Sequence, residues 1–476
     1  MTMDKWIGAA LDYIPRFLEH QMRLSEQPGC AIAIAYKGKL VLERAFGHAD
    51  LIAGTALTSR HRFRVASHSK SFTAAGVLKL REQGRVKLDD RVGVYVPRLH
   101  PKVGAATLGQ LLSHTAGVVR DGVDGGQWSD RRSFLDESAL RADLIDGPVI
   151  EANTRLKYSN HGYGLVGLAI QAITGESYND WIGREIVAAS NLTETSPDAP
   201  ILTATPFARG HSTKLPLGRR VVIPGDNPTN ALAAATGFVS TASDLARFFA
   251  SLAPEAKRSV LTPESRREMW RRQWRDAYAA APRWYGLGTI GGDLDDWAWS
   301  GHTGGFQGTI TRTVCVPSQQ LTVSVLTNAA DGMSHAWVDG ALQILRAYLR
   351  DGAPSGRTAA WSGRWWGLWG PVDLMPMKDK VLVANPSLAN PVQNAAELVV
   401  ANSLQGHVAL AGSFDRHGEP VRMERDVRGK ATALWLGGTK MQSEAETIQE
   451  LTAKYESTPQ SSAVPMRLPP RRSRAT

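Results

Sequence analysis

The run Val65-Ala66-Ser67-His68-Ser69-Lys70-Ser71-Phe72-Thr73 sets a hydroxyl and an amine three residues apart, and this pair constrains the fold more than any other feature of the chain. Residues three apart share one face of a helix, so a helix starting at Ser67 places the Lys70 amine beside the Ser67 hydroxyl. Both ends support that helix: Phe72, Val77, Leu78 and Leu80 recur at helical spacing, and Gly84 supplies a stop after Gln83. A serine hydroxyl is a poor nucleophile at neutral pH and needs a base within hydrogen-bond reach. Serine is also a favoured N-cap, so the tetrad alone also describes a capped surface helix with a solvated lysine.

Two further motifs follow in order. Tyr158-Ser159-Asn160 precedes the helix-like apolar stretch from Gly162 to Ile170, which Thr174-Gly175 closes. His302-Thr303-Gly304-Gly305 follows a Trp-rich segment, Trp297-Ala298-Trp299-Ser300-Gly301. It precedes two β-rich runs, Thr309 to Val316 and Leu321 to Leu326, joined by a Pro317-Ser318-Gln319-Gln320 turn. The chain contains no second S-x-x-K, no second Y-x-N, and no other His or Lys followed by Ser/Thr and Gly. Each motif is weak alone; three unique ones, in order and on the expected element types, are strong.

These motifs resemble the S-x-x-K, Y-x-N and [KH]-[TS]-G elements of the serine β-lactamase and penicillin-binding-protein superfamily, in the branch of class C β-lactamases, family VIII-type esterases and D-aminopeptidases. Two other runs are similar to that family's: Leu111-Leu112-Ser113-His114-Thr115-Ala116-Gly117, and the stretch from Thr236 to Phe248. The likeness covers roughly residues 5 to 350. It implies an α/β (α+β) catalytic fold, an antiparallel sheet flanked by helices with an all-helical region beside it. It also implies that Ser67 attacks a carbonyl to give an acyl-enzyme, with Lys70 and Tyr158 as candidate bases. Which of the two takes the first proton stays open. Asn160 would orient Lys70 and hold a substrate amide oxygen, and His302, Thr303, Gly304 and Gly305 would line the substrate. The backbone N–H groups of Ser67 and Gly305 would form the oxyanion hole, such donors contributing about 3 kcal/mol each.

The departures bear on substrate choice. β-Lactamases and DD-peptidases of this superfamily usually carry lysine in the third motif, where its charge helps bind a carboxylate. His302 is mostly neutral near pH 7 on an unperturbed pKa of about 6.5. It suits an amide or ester without that charge, as in the D-aminopeptidase subgroup. Tyr158-Ser159-Asn160 in place of S-D-N argues against a class A mechanism with a separate glutamate base. His68 and Ser69 would point elsewhere on the helix, His114 reads as a helix-end hydrogen-bonder, and His161 is a weaker candidate for the cleft.

Composition fits a two-domain protein: 476 residues with 43% apolar content fill sizeable cores. Cys30 and Cys315 fall in strand-like runs and read as buried apolar residues, with no disulfide framework. No residue set has metal-ligand spacing, no phosphate-binding glycine loop occurs, and the expected chemistry needs no cofactor. The net charge of +10 lies partly in an Arg-rich tail (Arg467, Arg471, Arg472, Arg474) without a nucleic-acid motif, so nucleic acid is not an expected partner. The first residues read as an amphipathic helix to about Leu24, without a signal-peptide core, and no stretch suits a membrane span. The expectation is a cytoplasmic enzyme.

The chain then divides into a catalytic domain over 1–352, a small β domain over 353–456 and a disordered Pro/Arg-rich tail over 457–476. The linker Asp351-Gly352-Ala353-Pro354-Ser355-Gly356 separates the first two. In the second, short β runs such as Leu398–Ala401, Val408–Ala411 and Ala433–Leu436 alternate with turns, resembling the lipocalin-like domains of some D-aminopeptidases. The leading functional expectation is a serine amidase or aminopeptidase acting on small amino-acid amides or short peptides. The alternatives are a carboxylesterase of the same fold with weak β-lactamase activity, and a non-catalytic sensor or assembly protein. The reading leaves a homo-oligomer open.

Overall fold

The computed structural model describes residues 4–199, 205–412 and 414–456; the expected tail over 457–476 lies outside the described residues. Contacts divide the chain into two compact units, Ile14–Leu342 and the described parts of Met1–Tyr13 with Gln343–Thr476. Among the described residues no helix is long and apolar enough to cross a membrane.

The first unit is organised on a nine-stranded antiparallel sheet. Its strands run in the order Thr55–Ala56, Lys39–Asp50, Gly29–Tyr36, Leu321–Thr327, Thr309–Val316, Trp297–Phe306, Ile290–Leu294, Arg283–Tyr285 and Trp274–Asp276. Gly29–Tyr36 and Leu321–Thr327 are buried at every position, which is why they read as continuous apolar runs without alternation. The hairpin between Gly29–Tyr36 and Lys39–Asp50 turns through Lys37 (φ 50°) and Gly38 (φ 74°), the two positive-φ positions of a two-residue hairpin loop. Cys30 and Cys315 are buried free thiols on two strands of this sheet that are separated by Leu321–Thr327.

Helices cover the sheet. The amphipathic helix Lys5–Leu24 forms where expected, and a second long helix runs over Ser334–Asp351. Within the first unit Trp337 Nε1 donates to Gln21 Oε1 at 3.2 Å. Arg312 on the sheet reaches the second of these helices, donating to His335 O (2.9 Å) and Asp339 Oδ2 (2.8 Å). The helix Ala242–Ser251 packs on Gly29–Tyr36 and Leu321–Thr327. The region from Phe72 to Phe249 is mainly helical, but it also takes part in two short ladders. Phe63–Arg64 pairs with Val239–Ser240, and Gly210–His211 pairs with Val222–Ile223. The first ladder accompanies Arg64, which is buried and donates to Gly225 O, Gly237 O and Asp198 Oδ1 at 2.8, 2.8 and 3.2 Å, tying three loops to the strand that leads into Ser67.

The sheet runs further than the sequence suggests, because Trp274–Asp276, Arg283–Tyr285 and Ile290–Leu294 add to it before the His302 motif. Gly291 and Gly292 make room there for indoles: a Cβ would lie 2.1 Å from Trp284 Nε1 at the first and 2.5 Å from Trp299 Cζ2 at the second. Ile290–Leu294 pairs only with the Trp297–Gly301 half of its neighbour. From His302 onward that strand is therefore a local edge.

The second unit contains eight sequential antiparallel strands from Gly363–Gly367 to Thr439–Met441. Trp366 N donates to Gln442 O (2.8 Å) and Gln442 N to Trp366 O (2.9 Å), bringing the last strand back to the first. The result is a nearly closed up-and-down barrel, filled by Trp361, Trp365, Leu374, Leu398, Val421 and Leu434 among others. Within this unit Tyr13 OH donates to Asp373 Oδ2 at 2.8 Å, and Arg364 grips the same carboxylate at 2.7 and 2.8 Å.

Candidate active site

Ser67 sits on a single 3-10 turn, Ala66–His68, which leads into the helix Ser69–Glu82. The α-helix thus begins two residues later than expected, and Gly84 (φ 72°) follows its end as predicted. Ala66 is buried with φ at 46°, a left-handed conformation that costs a non-glycine residue about 1 kcal/mol or more. Its surroundings hold it there: Ser69 Oγ donates to Ala66 O at 2.5 Å and accepts from Phe238 N at 3.0 Å.

Lys70 lies one turn on and is fully buried. Its Nζ is 3.0 Å from Ser67 Oγ, 2.8 Å from Asn160 Oδ1 and 2.9 Å from Ala235 O. Tyr158 OH donates to Ser67 Oγ at 2.8 Å from the other side. Ser67 and Tyr158 are both partly exposed, so the hydroxyl that receives these contacts is reachable.

The Tyr158-Ser159-Asn160 triplet works because Ser159 is an N-cap. Its Oγ accepts from Gly162 N at 2.8 Å and donates to Val119 O at 2.6 Å, starting the helix Asn160–Thr174 and leaving Tyr158 and Asn160 on either side of the cap. His114, with φ at 58°, accepts from Ser159 N at 3.1 Å through Nδ1 and lays its ring against Tyr158 at 4.1 Å between centroids. The Leu111–Gly117 run thus supports the triplet, and His114 is a hydrogen-bonder as expected.

On the sheet side, Gly304 explains the glycine of the third motif. A Cβ there would lie 2.2 Å from Val65 O, so only glycine lets this strand touch the turn that carries Ser67. Thr303 is half-buried and Gly305 exposed, whereas His302, Gly304 and Phe306 face inward. His302 is 1% exposed, with Nε2 3.0 Å from Tyr285 OH and Nδ1 2.7 Å from Thr303 O. Its ring nitrogens therefore meet protein groups. His68 is buried on Val65 O and Thr313 Oγ1, and His161 is buried against Asp143 Oδ2 at 2.8 Å.

Burial sets the electrostatics. It holds the Lys70 amine well below the usual lysine range; Asp121 opposes the shift and Arg120 adds to it. Burial also raises the Tyr158 phenol, against the opposing Ser67 hydrogen bond and Arg120. His302 is held well below its ordinary value by burial first and by His68 and Lys70 next. A neutral amine has two N–H bonds and one lone pair. With those two bonds directed at Asn160 Oδ1 and Ala235 O, a neutral Lys70 would turn its lone pair toward Ser67 Oγ.

Sequence reasoning missed Arg120, Asp121, Trp128, Tyr163 and Tyr285. Asp121 Oδ1 accepts from Asn160 Nδ2 (2.7 Å) and Trp128 Nε1 (2.9 Å), and its Oδ2 accepts from Arg120 Nε at 2.9 Å. Lys70 Nζ lies 4.7 and 5.4 Å from the ring centroids of Tyr158 and Tyr163. The position of Arg120-Asp121 just after the Leu111–Gly117 run was the one available signal.

Comparison with known proteins places these features. The chain is 29% identical over 187 residues to Protein flp of Staphylococcus aureus (strain N315); the match covers 38% of this chain and 37% of that protein, little more than a third of either. Its fold is similar to that of the octameric penicillin-binding protein homologue from Pyrococcus abyssi (TM-score 0.64, 21% identity, 91% of this chain and 99% of that one). It is likewise similar to the D-amino acid amidase from Ochrobactrum anthropi SV3 (TM-score 0.62, 21% identity, 71% and 99%). The beta-lactamase family model matches residues 14–347, and the chain belongs to that family.

Proposed function

We propose that this protein is a serine hydrolase that cleaves amide bonds of small amino-acid amides or short peptides through an acyl-enzyme on Ser67. The observation that carries the reading is the double approach to one partly exposed hydroxyl, by Lys70 Nζ at 3.0 Å and Tyr158 OH at 2.8 Å. Lys70, its proton affinity lowered by burial, takes the Ser67 proton as the hydroxyl oxygen bonds to the substrate carbonyl carbon. Tyr158, its phenol kept protonated, donates its proton to the leaving nitrogen and is restored by the proton that Lys70 took from Ser67. Water then cleaves the acyl-enzyme by the reverse proton path. The N–H groups of Ser67 and Gly305 serve as the oxyanion hole, with Thr303 beside the substrate and Gly304 setting the approach of strand to nucleophile.

The buried, neutral His302 supports a substrate without a carboxylate at that end. That favours amides over the acids that a fixed lysine charge would select, and the D-amino acid amidase named above is a fold neighbour in keeping with it. His302 acts here through Tyr285 and the strand, shaping the subsite more than touching substrate. A homo-oligomer accords with the octameric Pyrococcus abyssi homologue, and a single-chain mass in sedimentation velocity would overturn that part.

The test is labelling of the folded protein by a fluorophosphonate probe, followed by turnover of D- and L-amino-acid amides, simple esters and nitrocefin. Ser67→Ala is expected to abolish labelling and remove at least several hundredfold of activity, on the order of 4 kcal/mol of barrier. Inert amides alongside rapid ester turnover would replace the amidase reading with the esterase one. An unlabelled wild type would remove both.

A further inference from the structure

We propose that Asp121 is a positioning residue that locks the Asn160 carboxamide in the one orientation that turns its oxygen to Lys70. The inference rests on the hydrolase reading above. A carboxylate only accepts hydrogen bonds, and the Lys70 N–H groups only donate toward Asn160. An amide held between them has a single satisfied orientation: Nδ2 to Asp121 Oδ1 at 2.7 Å and Oδ1 to Lys70 Nζ at 2.8 Å. Without the carboxylate the amide is free to turn its NH₂ toward the amine, which would swing the Lys70 lone pair away from Ser67.

The lock is itself held. Trp128 Nε1 and Arg120 Nε fix the two Asp121 oxygens at 2.9 Å each. Arg120 O accepts from Asn160 N (3.0 Å) and His161 N (3.2 Å), so the loop carrying the carboxylate is pinned to the same helix N-terminus that carries the carboxamide. Arg120 also lies over the Tyr158 ring at 5.3 Å. Asp121 meets Lys70 through Asn160, one hydrogen bond removed, which is why it belongs to positioning.

The groups facing Lys70 are Asp121 and Arg120 on the loop, the Tyr158 and Tyr163 rings, and the His114 and His302 rings, each of which a protonated Lys70 would hold lower. Of the two charged ones, Asp121 raises the Lys70 pKa and Arg120 lowers it. Removing the negative charge therefore lowers the Lys70 pKa further.

The experiment is a double-mutant cycle in the full chain with Asp121→Ala, Asn160→Ala and the pair, read as kcat and KM on an amide and an ester. Asp121→Ala is expected to lower kcat about a hundredfold on both substrates, the scale of a small misplacement of a reacting group, with KM nearly unchanged. In the Asn160→Ala background it should cost nothing more. Asp121→Asn, which keeps the oxygen acceptor but not the charge, should move the acid limb of kcat/KM to lower pH. Additive losses in the cycle would overturn the lock, as would an unmoved acid limb. A loss confined to KM for free-amino substrates, sparing N-acetylated ones, would also overturn it by making Asp121 a substrate contact. If Asp121→Ala does not fold by circular dichroism, the same cycle run with Asp121→Asn decides: a loss that vanishes in the Asn160→Ala background supports the lock, and additive losses overturn it. Fluorophosphonate labelling of the wild type separates the two levels: no labelling fells the hydrolase reading, whereas labelling with additive losses fells only the lock.

Discussion

The Tyr285 hydroxyl lies 3.0 Å from Nε2 of His302, and neither side chain is more than 4% exposed. This pair brings a strand the sequence did not reveal, Arg283–Tyr285, into contact with the third motif. Tyr285→Phe would leave His302 Nε2 buried without its partner. The expected cost is about 1–3 kcal/mol of stability, the scale for a polar group stranded in the interior. Urea unfolding with an unchanged slope and a lower midpoint would register it; an unchanged midpoint would mean that Nε2 has another partner.

Three buried histidines beside the site, His68, His114 and His302, are all held below their ordinary value, His68 at about 3, and burial is the largest cause for each. In the unfolded chain they would protonate near 6.5. Between the folded and unfolded values the unfolded state binds more protons, so stability rises with pH there and falls as pH drops below about 6.5. Each such histidine contributes up to about 1.4 kcal/mol per pH unit within its window. Denaturant titrations between pH 5 and 6 should therefore show a smaller slope of stability against pH in His302→Gln than in wild type. Equal slopes would show that His302 titrates alike in both states.

Gly304 is the narrowest point between sheet and nucleophile. In Gly304→Ala the new methyl would meet Val65 O at 2.2 Å, so either the strand or the Ser67 turn has to retreat. A displacement of that kind is expected to cost about a hundredfold in kcat, because the reacting groups leave near-attack geometry. Fluorophosphonate labelling rates would fall in parallel. Gly305→Ala meets only Ile310 Cδ1, at 3.6 Å, and serves as the milder control for added bulk.

The sequence was most readable where one short motif answers one local demand. Ser67 and Lys70 needed only helical spacing to be paired, and Ser159 only its capping role to separate Tyr158 from Asn160. The fully buried strands Gly29–Tyr36 and Leu321–Thr327 announced themselves by unbroken apolar runs. What escaped depends on tertiary pairing. Trp274–Asp276 and Arg283–Tyr285 are three residues long and rich in Arg and Trp, so no periodicity marks them. Asp121 follows a recognisable run but has no spacing relation to Asn160, 39 positions away, and only the fold brings their side chains to 2.7 Å. The inward face of His302 was hidden for the same reason. Alternation fixes which strand residues share a face, and only the packing of Tyr285 and His68 decides which face is inside.

In the barrel unit, Asp373 accepts from Tyr13 OH and from both Nε and Nη2 of Arg364, while its own side chain is 3% exposed. Arg364 is only 22% exposed, so its charge depends on this carboxylate more than on water. Asp373→Ala would leave a largely buried guanidinium and a buried phenol without their shared acceptor. Breaking one side of a buried pair costs about 3–5 kcal/mol, and the residual exposure of Arg364 puts the expected loss near the lower end, about 3 kcal/mol. Asp373→Asn keeps one oxygen for Tyr13 but places an amide against the guanidinium, so it should recover only part of that loss. Replacing the pair together, Asp373→Leu with Arg364→Met, removes both charges at once and should be less destabilising than Asp373→Ala alone. Calorimetry of the full chain would resolve this: a double variant no more stable than Asp373→Ala would mean that the carboxylate serves Tyr13 and that Arg364 is incidental.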